Sequence, residues 1–100
     1  MEYTLIIDAS NGRFAVVTDT KPGLIGHDYK FKPIKARLVK DGYDQADFHY
    51  FRKLKQPIPE GTELMVDCWW QNFYGAYFKI VYNGDSYDVK ENCVSIIYDR

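Results

Sequence analysis

Two Asn-Gly pairs, Asn11-Gly12 and Asn83-Gly84, each stand between runs of alternating apolar residues, and this feature limits the fold more than any other. Asn and Gly take the positive φ angles of a type I′ turn most readily, so each pair predicts a β-hairpin closed by a two-residue loop. Around the first pair, this sets Ile7 opposite Val16, Leu5 opposite Thr18 and Ala9 opposite Phe14 on one face, with Ile6 opposite Val17 on the other. Around the second, Phe78 opposes Val89, Ile80 opposes Tyr87 and Tyr82 opposes Asp85 on the inner face. Lys79 then meets Asp88, and Val81 meets Ser86, on the outer one.

Between the hairpins, Pro22-Gly23 suits a type II turn. A strand beginning near Tyr29 changes phase within itself: Tyr29 and Phe31 are its apolar positions before Pro33, and Ile34, Ala36 and Leu38 after it. One inserted residue at Lys32-Pro33, a β-bulge, returns the same side to the core and leaves Lys30, Lys32, Lys35 and Arg37 outside. Residues 44–55 fit either a strand or a short helix. Asp44 and Asp47 at the start, Arg52, Lys53 and Lys55 at the end, and Pro57 and Pro59 beyond favour the helix. From Glu63 to Gln71, Leu64, Val66, Cys68 and Trp70 alternate with Glu63, Met65, Asp67, Trp69 and Gln71. Parity therefore places Trp70 inside and Trp69 outside. Lys90–Cys93 is long enough for one helical turn, and Val94–Tyr98 makes a last strand.

The chain is 100 residues long, enough for one domain with one core, and its formal net charge of -1 and 46% hydrophobic content are those of a folding sequence. No apolar run reaches the roughly 18 residues of a membrane span. The N-terminus lacks a basic, apolar leader, so a soluble cytoplasmic protein is expected, with Cys68 and Cys93 as reduced, buried thiols. The succession from Ile34 to Tyr98 of strand, long loop, strand, short loop, hairpin, single turn and final strand resembles an SH3-like barrel. Pro59-Glu60-Gly61-Thr62-Glu63-Leu64-Met65-Val66 is similar to the turn and strand such domains carry, and Lys90-Glu91-Asn92-Cys93-Val94 to the single turn before their last strand. The resemblance implies a mostly β, small antiparallel barrel over residues 29–98, with residues 1–20 as an added hairpin and one short helix. It points to no specific family. An OB-like barrel is the alternative.

No chemistry declares itself. His27 and His49 stand apart from each other and from any Cys-x-x-Cys pair, so neither a metal nor a cofactor is indicated. Asp41, Asp44 and Asp47 lack the spacing of a calcium loop. Charge is uneven: residues 21–55 carry nine Lys/Arg against four Asp/Glu, a balance of +5. Aromatic residues make up 17% of the chain, and Trp69, Trp70, Phe73, Tyr74, Tyr77 and Phe78 fall within ten positions. A core this small cannot hold them all, and large exposed aromatics dominate protein interfaces. The leading expectation is a non-catalytic protein-binding domain, a small regulator or inhibitor of the phage or mobile-element type. Trp69, Phe73, Tyr74, Tyr77 and Lys79 would form its surface. Single-stranded nucleic-acid binding through Lys30, Lys32, Lys35 and Arg37 is the second expectation, and an unrecognised small enzyme the third.

Overall fold

The computed structural model describes residues 1–39 and 58–97. Seven strands, β1 (Tyr3–Ala9), β2 (Gly12–Thr18), β3 (Tyr29–Leu38), β4 (Glu63–Asn72), β5 (Gly75–Tyr82), β6 (Asp85–Lys90) and β7 (Val94–Ile96), form two antiparallel sheets, with a 3-10 turn at Glu91–Cys93. The first sheet is the β1-β2 hairpin. The second is curled, in the order β6-β5-β4-β3-β7, so that the last strand returns to lie beside β3 as a small β-barrel requires. The element order expected from the SH3-like resemblance is present wherever residues are described. The short helix expected at 44–55, the spaced aspartates, His49 and Tyr98 lie outside the described residues.

Both hairpins form, but their turns differ. Asn83 and Gly84 have φ of 49° and 81°, the type I′ pair, and every predicted β5-β6 partner is observed. In the first hairpin Gly12 takes φ of 112° and Asn11 stays out of that region. Ser10 and Asn11 are therefore the two loop residues and Gly12 pairs with Ala9. This turn, followed by a positive-φ glycine, moves the register two residues from the type I′ expectation: Ile7 lies opposite Phe14 and Leu5 opposite Val16. A shift of two leaves each side chain on its own face, so Leu5, Ile7, Ala9, Phe14, Val16 and Thr18 are all buried as a set.

The hairpin is a wall of the core and not an appendage. Its buried face joins Tyr29, Ala36, Leu38, Ile58, Val66, Trp69, Phe78, Ile80, Tyr87, Val89, Val94 and Ile96 in one cluster. Phe14 stacks on Phe78 with centroids 6.2 Å apart. Its turn also serves the free edge of β7: the Ser10 backbone amide and hydroxyl donate to the Val94 carbonyl at 3.2 and 3.0 Å, and the Asn11 side-chain Nδ2 donates to the Ile96 carbonyl. Those carbonyls would otherwise be open to edge pairing.

Register also breaks where Pro33 predicted. Tyr29 pairs with Trp69 and Lys30 with Cys68, whereas Ile34 pairs with Val66 and Ala36 with Leu64. β3 therefore takes five residue steps, Tyr29 to Ile34, where β4 takes three, Trp69 to Val66. Both step counts are odd, so both strands change phase at the same level. In β4 the core-facing residues are Leu64, Val66 and then Trp69, with Cys68 and Trp70 turned to the other face. Because Phe14 bridges the two sheets, Phe14→Ala should destabilise the fold by about 3 to 5 kcal/mol. Urea unfolding measures this; a loss under about 1 kcal/mol would mean that the hairpin is dispensable.

Candidate functional site

The phase change in β4 overturns the expected exposure of Trp69. Its side chain is 5% exposed and packs in the core, its ring tilted against Tyr29 at 5.5 Å. An uninterrupted strand would have sent it outward, but the irregularity between Val66 and Cys68 reverses every side chain beyond it. The indole still needs a partner, and its Nε1-H donates to Glu91 Oε2 at 2.8 Å. Trp70 is buried too, at 8%, but on the opposite face. There it stacks on Tyr77 at 4.5 Å and donates its Nε1-H to Asp88 Oδ1 at 2.8 Å. Tyr77, expected at the surface, is 1% exposed, and burial raises its phenol pKa.

The five residues proposed for a protein surface are thus divided. Trp69 belongs to the core face. Tyr77 and Lys79 lie on the other face of the sheet. Lys79 is exposed and bound to Asp28 at 2.9 Å, an ion pair that raises the lysine pKa. Phe73 and Tyr74 remain, and they are the two loop residues of the β4-β5 hairpin, whose last pair is Asn72 with Gly75. The Asn72 carboxamide oxygen accepts from the Tyr74 and Gly75 amides at 2.8 and 3.1 Å, which fixes the loop, and Gly75 supplies a φ of 149°. Phe73 is 89% exposed and Tyr74 67%.

Beside this tip, Tyr74, Gly75, Ala76, Lys90, Glu91 and Asn92 line a cleft of about 210 Å³. Sequence reasoning missed Glu91. It stands on the 3-10 turn, which brings it against Trp69, and no local pattern in the sequence signals that contact. Burial raises its pKa, the Trp69 hydrogen bond lowers it, and the nearby Asp8 carboxylate raises it again; the net shift is upward.

The basic residues sit where the sequence placed them. Lys30, Lys32, Lys35 and Arg37 are all exposed on the outer side of β3. Lys35 pairs with Glu63 at 3.1 Å, while Lys30, Lys32 and Arg37 have no ion-pair partner among the described residues. A larger groove of about 530 Å³ runs between β2 and the bulged part of β3, with Val17, Phe31 and Ile34 among its lining. Cys68 and Cys93 are both buried, and no disulfide joins them. Burial first, then the Asp28 charge, pushes the Cys68 thiol up to about 11 and suppresses its thiolate. No cluster of His, Cys, Asp or Glu able to hold a metal occurs among the described residues, and no described helix is long and apolar enough to cross a membrane. Comparison with protein-family models, with curated proteins and with solved structures finds no match.

Two outcomes follow from the buried indoles. Trp69→Ala should cost about 3 to 5 kcal/mol, comparable with Trp70→Ala, because each empties a packed site. A Trp69→Ala protein that melts like the wild type would contradict the core placement. Glu91 has a folded pKa above its ordinary 4.5, so the folded state holds that proton more tightly than the unfolded one. Its contribution is present at low pH and is lost as pH rises through the raised folded value. The melting temperature of Glu91→Gln, relative to wild type, should therefore increase from about pH 4 to pH 7. A flat or falling difference would contradict the assignment.

Proposed function

We propose that this chain is a non-catalytic protein-binding domain of the SH3-like barrel kind, a small regulator or inhibitor that engages its partner through the β4-β5 tip. The observation that carries the reading is the pair Phe73 and Tyr74 at the two loop positions of a hairpin, both open to solvent while both tryptophans are buried. Two rings held out on a turn already ordered by Asn72 offer apolar area with little further loss of chain entropy on binding. Neither ring is needed to fill the core. Exposed aromatics of this kind supply the largest truncation costs at interfaces.

A second reading, single-stranded nucleic-acid binding, is favoured by the open row Lys30, Lys32 and Arg37. The near-neutral whole, with a sequence pI of about 6.1, argues against it.

Capture from nuclease-treated lysate, followed by affinity measurement on the captured protein, separates the two. Phe73→Ala with Tyr74→Ala should weaken binding by at least about 30-fold, the equivalent of about 2 kcal/mol. Its melting curve should stay within about 0.5 kcal/mol of wild type. Lys30→Glu with Lys32→Glu and Arg37→Glu should leave that binding in place. Loss of all binding on nuclease treatment, or unchanged affinity in the aromatic variant, would contradict the reading.

A further inference from the structure

The outer edge of β2 has no strand beside it among the described residues. In a hairpin closed by a two-residue loop, the bonded pairs share the parity of the pair that flanks the loop, here Ala9 with Gly12, Ile7 with Phe14, Leu5 with Val16 and Tyr3 with Thr18. Ala15 and Val17 fall between these, so their N-H and C=O groups point away from β1, where no described residue meets them. β3 has an open stretch as well. On the edge away from β4 it pairs with β7 only at Ala36, Arg37 and Leu38, which leaves residues 29–34 uncovered there.

The groove of about 530 Å³ lies between these two stretches, and its chemistry is divided by face. Phe31 and Ile34 are half-buried against the core. Lys30 and Lys32 stand exposed on the other side of β3, with no ion-pair partner among the described residues. Glu2 and Asp19 line the groove at the open end of the hairpin, beyond the Tyr3-Thr18 pair, and neither forms an ion pair with the lysines of the facing wall.

We propose that this groove takes an extended protein segment as an added β-strand on the outer edge of β2, with apolar side chains turned inward onto Phe31 and Ile34 and acidic ones outward beside Lys30 and Lys32. Pairing falls to β2 because Pro33 and the bulge deprive β3 of a regular ladder at this level. An added strand satisfies the outward groups of Ala15 and Val17. Its side chains alternate between faces, so one period of two supplies both the apolar and the acidic set. Charge complementarity selects the acids, since Lys30 and Lys32 are the cations of the groove and nothing described neutralises them. A nucleic acid would also be drawn to the lysines, but it cannot continue a β-ladder. This surface is separate from the β4-β5 tip, and the inference goes beyond the reading of that tip.

The probe is the capped peptide Val-Glu-Val-Glu-Val, titrated into the ¹⁵N-labelled full chain. Val-Lys-Val-Lys-Val and a backbone N-methylated form of the acidic peptide are the controls. The amides of Ala15, Val17, Phe31 and Lys32 should shift saturably with the acidic peptide alone, and hydrogen exchange at Val17 should slow at least about fivefold at saturation. Lys30→Glu with Lys32→Glu should weaken the acidic peptide at least about tenfold and admit the lysine one. Phe73→Ala with Tyr74→Ala should leave its affinity unchanged. Unmoved Ala15 and Val17 amides in the wild type, or equal binding of either control, would overturn the proposal, and the wild-type titration decides even if a variant folds poorly. Displacement of the peptide by oligo-dT at lower concentration would assign the lysines to nucleic acid and overturn it. Protection of the Val17 amide that rises with protein concentration in the absence of peptide would assign the edge to a second copy, with the same consequence. Failure of the tip variant to affect partner capture would remove only the reading of the tip, and absence of peptide binding would remove only the present inference.

Discussion

The simultaneous change of phase in β3 and β4 is the constraint on which the rest of this structure depends. Pro33 cannot donate to a ladder, and the strand around it takes five residue steps against three in its partner. On one side of that level the core receives Ile34, Ala36, Leu38, Leu64 and Val66, and on the other it receives Tyr29, Phe31, Trp69 and Phe78. Without the reversal in β4, Trp69 would leave the core and Cys68 would enter it. The Tyr29 hydroxyl extends the effect outward. It accepts from the Leu24 amide at 2.7 Å and donates to the Leu24 carbonyl at 2.8 Å, which ties the loop before β3 to the same buried ring.

Burying two indoles on opposite faces of one strand creates two polar obligations, met in the same manner. Trp69 reaches Glu91 and Trp70 reaches Asp88, each at 2.8 Å. A neutral donor on a carboxylate satisfies the indole, but the carboxylate is left with charge to solvate. Asp88 and Glu91 differ in what surrounds them. Glu91 stands in a cleft beside the exposed Tyr74 ring, so the contact that completes the core also shapes that part of the surface. The core and the candidate site are coupled through one hydrogen bond.

Much of the sheet was readable from the sequence, because turn chemistry and period-two alternation gave concordant answers at Asn83-Gly84 and because Pro33 marked the bulge directly. The first hairpin shows where such reading stops. Asn-Gly is compatible with two turn types, and only the φ of Asn11 distinguishes them; the faces survived because the two registers differ by an even number. Trp69 shows a harder limit. Leu64, Val66, Cys68 and Trp70 keep a flawless alternation, and a phase reversal at Asp67 replaces one buried aromatic with another, so the pattern carries no trace of it. The hint lay in the partner strand, whose own bulge had to be accommodated across the ladder. Glu91 was unreadable for a different reason, since its role arises from a contact across 22 positions. Phe73 and Tyr74, by contrast, stood in a loop that the flanking strands left no choice but to expose.

The account holds that both tryptophans are buried and that, among the described residues, the strongly exposed aromatic rings are Phe73 and Tyr74 at the β4-β5 tip. Acrylamide quenching of the two single-tryptophan proteins, Trp69→Phe and Trp70→Phe, measures this most directly. Each remaining indole should be quenched far more slowly than free tryptophan and emit to the blue of it, since both are enclosed and hydrogen-bonded. Quenching of Trp69 in the Trp70→Phe protein at the rate of a solvent-exposed indole would contradict the phase reversal in β4 and the placement of the site that follows from it.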